Sequence, residues 1–115
     1  MEVVSTKITI GHSPDPDDAF MFHALTEGLF DTQGRVYEHA LVDIDTLNSH
    51  AENGDFEVSA LSIHSFPNVS EKYALMNSGA SMGEGYGPIV ISNRKMSIEE
   101  LRECVIAVPG KSTSS

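Results

Sequence analysis

Hydroxyl side chains recur where short apolar runs end: Ser13, Ser62 and the group from Ser112 to Ser115. In an open α/β sheet such positions share one crevice, where hydroxyls and free helix N–H groups suit a small anionic ligand. Other constellations fail on spacing. Gly110-Lys111-Ser112-Thr113 ends like a phosphate-binding loop, but Val105 stands where that motif needs its first glycine. Gly83-Glu84-Gly85-Tyr86-Gly87 lacks the G-x-G-x-x-G spacing and leads toward an apolar run that reads as a strand, so a turn between strands explains it better than a dinucleotide site. Asp15, Asp17 and Asp18 with His12 gather hard oxygens, yet no carboxylate stands at the twelfth position of an EF-hand counted from Asp15, and helix capping accounts for them. His12, His23, His39, His50 and His64 form no H-x-x-x-H pair, so a metal site is not expected. Neither Ser13 nor Ser62 lies in a G-x-S-x-G nucleophile elbow, which argues against acyl transfer.

The elements that must carry these residues follow from local pattern. Lys7-Ile8-Thr9-Ile10 alternates and meets Gly11, which predicts a strand and a turn. Pro14 and Pro16 place a loop next, and Asp17 or Asp18 is expected to cap a helix whose Phe20, Phe22, His23 and Leu25 share one side and which stops at Gly28. Residues 35–42 predict a second strand, Asp43 to Asp45 a cap, and the following helix ends at Gly54. Residues 58–61 predict a third strand, running into a short helix that Pro67 limits. Further strands are expected at 73–76, 88–92 and 104–108, the last burying Cys104 as an inert thiol. Ser97-Ile98-Glu99-Glu100 has capping-box spacing and starts a helix. Strands alternating with helices predict an α/β layer with a largely parallel sheet.

Composition narrows the function classes. The 115 residues carry 7 Lys+Arg against 17 Asp+Glu, a formal net charge of −10, which disfavours nucleic acid and anionic membrane surfaces as partners. No run approaches the ~20 apolar residues of a membrane span. The opening Met1-Glu2-Val3-Val4 has an acid where a signal peptide wants basic residues, so a cytoplasmic location is expected. The predicted terminal strand at 104–108 is followed by capping residues and no helix, which leads us to expect a fragment of a longer chain.

Gly11-His12-Ser13-Pro14-Asp15-Pro16-Asp17-Asp18-Ala19-Phe20-Met21-Phe22-His23-Ala24-Leu25 closely resembles the opening of the 1,4-dihydroxy-6-naphthoate synthases of the futalosine route to menaquinone. Asp45-Thr46-Leu47-Asn48, Leu61-Ser62, Met82 to Pro88, and Val108-Pro109-Gly110-Lys111-Ser112-Thr113-Ser114 are similar to that family's later motifs, in order and over nearly the whole chain. Ser114 departs by standing where the family often has Thr, keeping the hydroxyl without the methyl. A sibling family, chorismate dehydratase, shares the fold but lacks the S-P-D-P-D-D-A-F run, and it stands as the alternative beside a non-catalytic solute-binding module.

The resemblance implies an α/β fold like the type II periplasmic binding proteins, with residues 1–92 in the first lobe and 93–115 forming the crossover and the truncated start of the second. It implies a carbon-carbon lyase that converts cyclic dehypoxanthine futalosine, a small-molecule carboxylate, into 1,4-dihydroxy-6-naphthoate without a cofactor. Substrate contacts carried over by position fall on Ala60, Leu61, Ser62, Thr113, Ser114 and Ser115, with Pro14, Asp18 and Gly85 as secondary candidates. The family's proton-accepting histidine lies beyond residue 115, so no histidine of this chain inherits that role and the chain alone is expected to be inactive.

Overall fold

The computed structural model describes residues 5–114. Three strands form one parallel sheet: β1 (Thr6–His12), β2 (Arg35–Leu41) and β3 (Val58–Ser59), in the order β2-β1-β3. Helix α1 (Pro16–Thr26) connects β1 to β2, and α2 (Ile44–Asn53) connects β2 to β3. A single 3₁₀ turn at Ile63–Ser65 leads into α3 (Phe66–Val69), and α4 (Ile98–Arg102) stands far along the chain. The α/β class expected from the sequence is therefore present.

Alternation along β1 sorts the two helices onto opposite faces. His12 points to the α1 side, where its ring stacks on Phe22 at a centroid distance of 4.4 Å. Gly11, one residue earlier, faces the α2 side. A Cβ there would lie 2.6 Å from Phe56 Cδ2 and 2.8 Å from Leu47 Cδ2, so only glycine admits this close approach of helix and sheet. Ile10, Leu47, Ala51 and Val69 form the buried apolar core.

Caps fix the helix ends. Asp43 accepts from Thr46 N–H at 3.0 Å, and Gly54 ends α2 in the left-handed region with φ 76°. Ser97 and Glu100 exchange both capping-box bonds at the start of α4. Helix α1 begins earlier than expected, because the fixed φ of Pro16 suits the first helical turn. Asp15 holds the cap position without a side-chain bond, and Asp17 and Asp18 lie inside the helix. Phe20 does not join the inner side and is 89% exposed. Pro67 likewise opens α3 where it was expected to limit a helix.

The later expected strands do not form. Residues 88–92 and 104–108 have no ladder partner among the described residues, and Ile91 and Val105 are open to solvent. Apolar alternation supplies one side of a strand, but the other requirement is an adjacent edge, and neither β2 nor the two-residue β3 is reached. At 73–76 the chain instead turns away from α3, with Tyr73 N–H bonded to the Val69 carbonyl and its hydroxyl to the Phe56 carbonyl. Cys104 is exposed, with its thiol directed to the Glu100 carbonyl, which corrects the expectation of a buried one. The radius of gyration is 18.0 Å, against about 13 Å for a compact domain of this size.

Candidate functional site

The strand order reverses at β1: the chain passes to β2 on one side and then to β3 on the other. In parallel sheets the crevice beyond the carboxyl ends of the strands at such a reversal is where ligands bind. Ser13 and Ser62 follow the two strands that flank it, β1 and β3.

Beyond β3, Ala60 N–H donates to the Gly11 carbonyl at 2.7 Å and carries the pairing one residue further. Leu61 follows, and Ser62 then turns toward α2. The buried Asn48 side chain meets it twice: Asn48 Oδ1 accepts from Ser62 N–H at 3.0 Å, and Asn48 Nδ2 donates to Ser62 Oγ at 3.1 Å. The same Nδ2 donates to the Ser112 carbonyl at 2.9 Å, 64 residues along the chain. Ser65 Oγ donates to that carbonyl as well. Ser114 Oγ accepts from His64 N–H at 3.3 Å, and the buried Thr113 donates its hydroxyl to the Gly110 carbonyl at 3.0 Å. Gly110 passes so close to Asp45 that a Cβ would overlap its carboxylate.

Ala60, Leu61, Ser62, Thr113 and Ser114 are therefore brought to one place, at the carboxyl end of β3 against α2. Ser115 lies outside the described residues. Within the cluster the Ser62 and Ser114 hydroxyls accept hydrogen bonds and keep a hydrogen that an anionic oxygen can take.

Ser13 does not join it. Its N–H donates to Asp18 Oδ2 at 2.7 Å and its hydroxyl accepts from Asp15 N–H at 2.9 Å, so both are used in closing the loop onto α1. Asp18 is thereby buried as a loop anchor. Pro14 lines a separate cavity of about 300 Å³ between α1 and the sheet, together with His12, Ser13, His23 and His39. Gly85 adopts φ 76° in an exposed loop, with open space where a Cβ would stand.

The histidines of that cavity are ordered by their hydrogen bonds. His12 Nδ1–H donates to the Ser13 carbonyl at 3.2 Å, which leaves Nε2 to accept from His39 Nδ1–H at 2.9 Å. Burial, and then the neighbouring charge of His12, push the His39 pKa down and favour its neutral form. Among the described residues no group of three or more His, Cys, Asp or Glu is placed to hold a metal ion. No helix of the described residues is long and apolar enough to cross a membrane.

Asn48 and Ser65 escaped the sequence reading as site residues. Asn48 did leave a trace: between Leu47 and Ala51 it falls on the buried stripe of α2, where an amide must find partners.

The menaquinone-biosynthesis profile matches residues 8–115. The chain belongs to that family. This menaquinone-biosynthesis chain is 34% identical over 109 residues to a 1,4-dihydroxy-6-naphthoate synthase of Thermus thermophilus, covering 94% of this chain and 39% of that protein. A 1,4-dihydroxy-6-naphthoate synthase of Streptomyces coelicolor is 32% identical over 108 residues, covering 94% of this chain and 37% of that protein. The crystal structure of an Archaeoglobus fulgidus protein is similar with a TM-score of 0.67 at 48% identity, over 70% of this chain and 30% of that one. The menaquinone-biosynthesis chain thus spans less than half the length of the curated relatives it matches.

Proposed function

We propose that this chain supplies the first lobe of a 1,4-dihydroxy-6-naphthoate synthase, residues 1–92, and the opening of a second lobe, residues 93–115, in a fold of the type II periplasmic-binding-protein kind. The assembled cytoplasmic enzyme converts cyclic dehypoxanthine futalosine into 1,4-dihydroxy-6-naphthoate by carbon-carbon cleavage. One observation carries the reading: the residues after β3 and the 112–114 turn converge through Asn48. That convergence brings the Ser62 and Ser114 hydroxyls, each accepting one bond and keeping a hydrogen to give, to the carboxyl end of β3, uncharged donors of the kind that hold a carboxylate while a base elsewhere removes a proton.

In this reading Ser62, Thr113, Ser114 and Ser115 hold the substrate carboxylate, and Ala60 and Leu61 pack against the ring system. No side chain of these 115 residues serves as the base. Incubating the chain of full family length with cyclic dehypoxanthine futalosine, and following product by mass spectrometry, tests the assignment. Formation of 1,4-dihydroxy-6-naphthoate is expected; dehydration of chorismate instead would transfer the chain to the sibling activity.

A further inference from the structure

We infer that Asn48 is a positioning residue that fixes Ser62 as a hydrogen-bond donor toward the ligand and ties that donor to the 112–114 turn. The inference rests on the reading of Ser62 as a carboxylate contact and goes beyond it by assigning the direction of the bond. Asn48 Oδ1 faces Ser62 N–H, which can only donate, so the amide orientation is set and Nδ2 must face Ser62 Oγ and the Ser112 carbonyl. Ser62 Oγ consequently accepts from Asn48, and its own hydrogen has no acceptor among the hydrogen bonds of the described residues. The hydroxyl is left as a donor beside the crevice. An acceptor-rich group such as a carboxylate satisfies it, whereas a ligand offering only donors does not. Asn48 is 2% exposed, so bulk solvent does not reach it to replace these bonds.

Asn48→Asp reverses the arrangement at nearly constant shape. A carboxylate at this position still accepts from Ser62 N–H, takes the Ser62 hydroxyl hydrogen for itself, and opposes the Ser112 carbonyl with a second acceptor.

The test measures binding of 1,4-dihydroxy-6-naphthoate and of 1,4-dihydroxynaphthalene, which lacks the carboxylate, to the chain of full family length. The wild type is expected to prefer the naphthoate by at least about tenfold. Asn48→Asp and Ser62→Ala should each lower that preference by at least about fivefold while leaving dihydroxynaphthalene binding within about twofold, and the double variant should lose nothing more. If Ser62→Ala removes the preference and Asn48→Asp keeps it, the role of Asn48 is overturned while Ser62 remains a contact. If the wild type shows no preference, or Ser62→Ala retains it, the carboxylate reading of Ser62 itself fails. Should Asn48→Asp lose dihydroxynaphthalene binding too, Asn48→Ala decides. Loss of both ligands there makes Asn48 merely structural and sinks the proposal; loss of the preference alone sustains it.

Discussion

Ser62 combines near-complete burial with a hydroxyl that still has a hydrogen to give. Removing that hydroxyl leaves a carboxylate partner unpaired, which costs about 1–3 kcal/mol. Ser62→Ala is therefore expected to lower kcat/KM of the enzyme by roughly five- to 150-fold, and unchanged kinetics would remove the residue from the site. His39 makes a different prediction, in stability. Its folded pKa is lowered, first by burial and then by the His12 charge, so the unfolded chain binds the proton more readily. Neutral His39 contributes fully above the unfolded value near ~6.5, and its contribution is lost as pH falls below it. Thermal melting at pH 5 against pH 7.5 should show this loss, and His39→Gln should flatten the slope in that window. Asp43, whose carboxylate is stabilised first by the Thr46 hydroxyl, and Glu57, stabilised first by Thr9 N–H, are shifted down as well. Their contributions persist above the unfolded carboxylate range and disappear below it, giving a second decline at lower pH.

At the scale of elements, what was legible was what is local. Asp43, Gly54 and the Ser97–Glu100 box each act over a few residues, and all are found where spacing placed them. Pro16 and Pro67 open helices instead of breaking them, because the same fixed φ that bars proline from a helix interior suits a helix start. The expected strands at 88–92 and 104–108 depend on a neighbour that no local pattern supplies. Asn48 was legible as a polar residue on a buried face, but its partners come from 14 and 64 residues away. The capping box gives a direct check. Ser97→Ala should cost about 0.5–2 kcal/mol of α4 stability, read as faster amide exchange over residues 98–102 with the sheet unchanged. A similar reading in β1, where replacing Gly11 by Val would drive a branched side chain into Phe56 and Leu47, predicts loss of the sheet itself, seen as collapse of the cooperative melt.

Over the whole molecule, the contrast is between an ordered α/β layer and a long exposed remainder. Extents of 70 × 31 × 22 Å and an 18.0 Å radius of gyration describe a chain much of which lies outside that layer. Amides at 88–92 and 104–108 are therefore expected to exchange with solvent within seconds to minutes in the 115-residue chain, while those of Ile8 to Gly11 remain protected. Protection of 104–108 near the global value would show that these residues find a partner of their own. The same chain is expected to form no naphthoate, since the proposed enzyme places its base elsewhere.

The bond between Asn48 and the Ser112 carbonyl has a kinetic meaning as well. It closes a loop of 64 residues, longer than the 48 that separate Ile10 from Val58 in the sheet ladder. Pairings so distant in sequence are formed late in folding, because the entropy of closing the intervening chain is lost before any contact repays it. The caps of α2 and the β1–β2 ladder close shorter stretches of chain, so the 112–114 turn is expected to dock after them. A ligand probe added during refolding should accordingly report a slower phase than far-ultraviolet circular dichroism does.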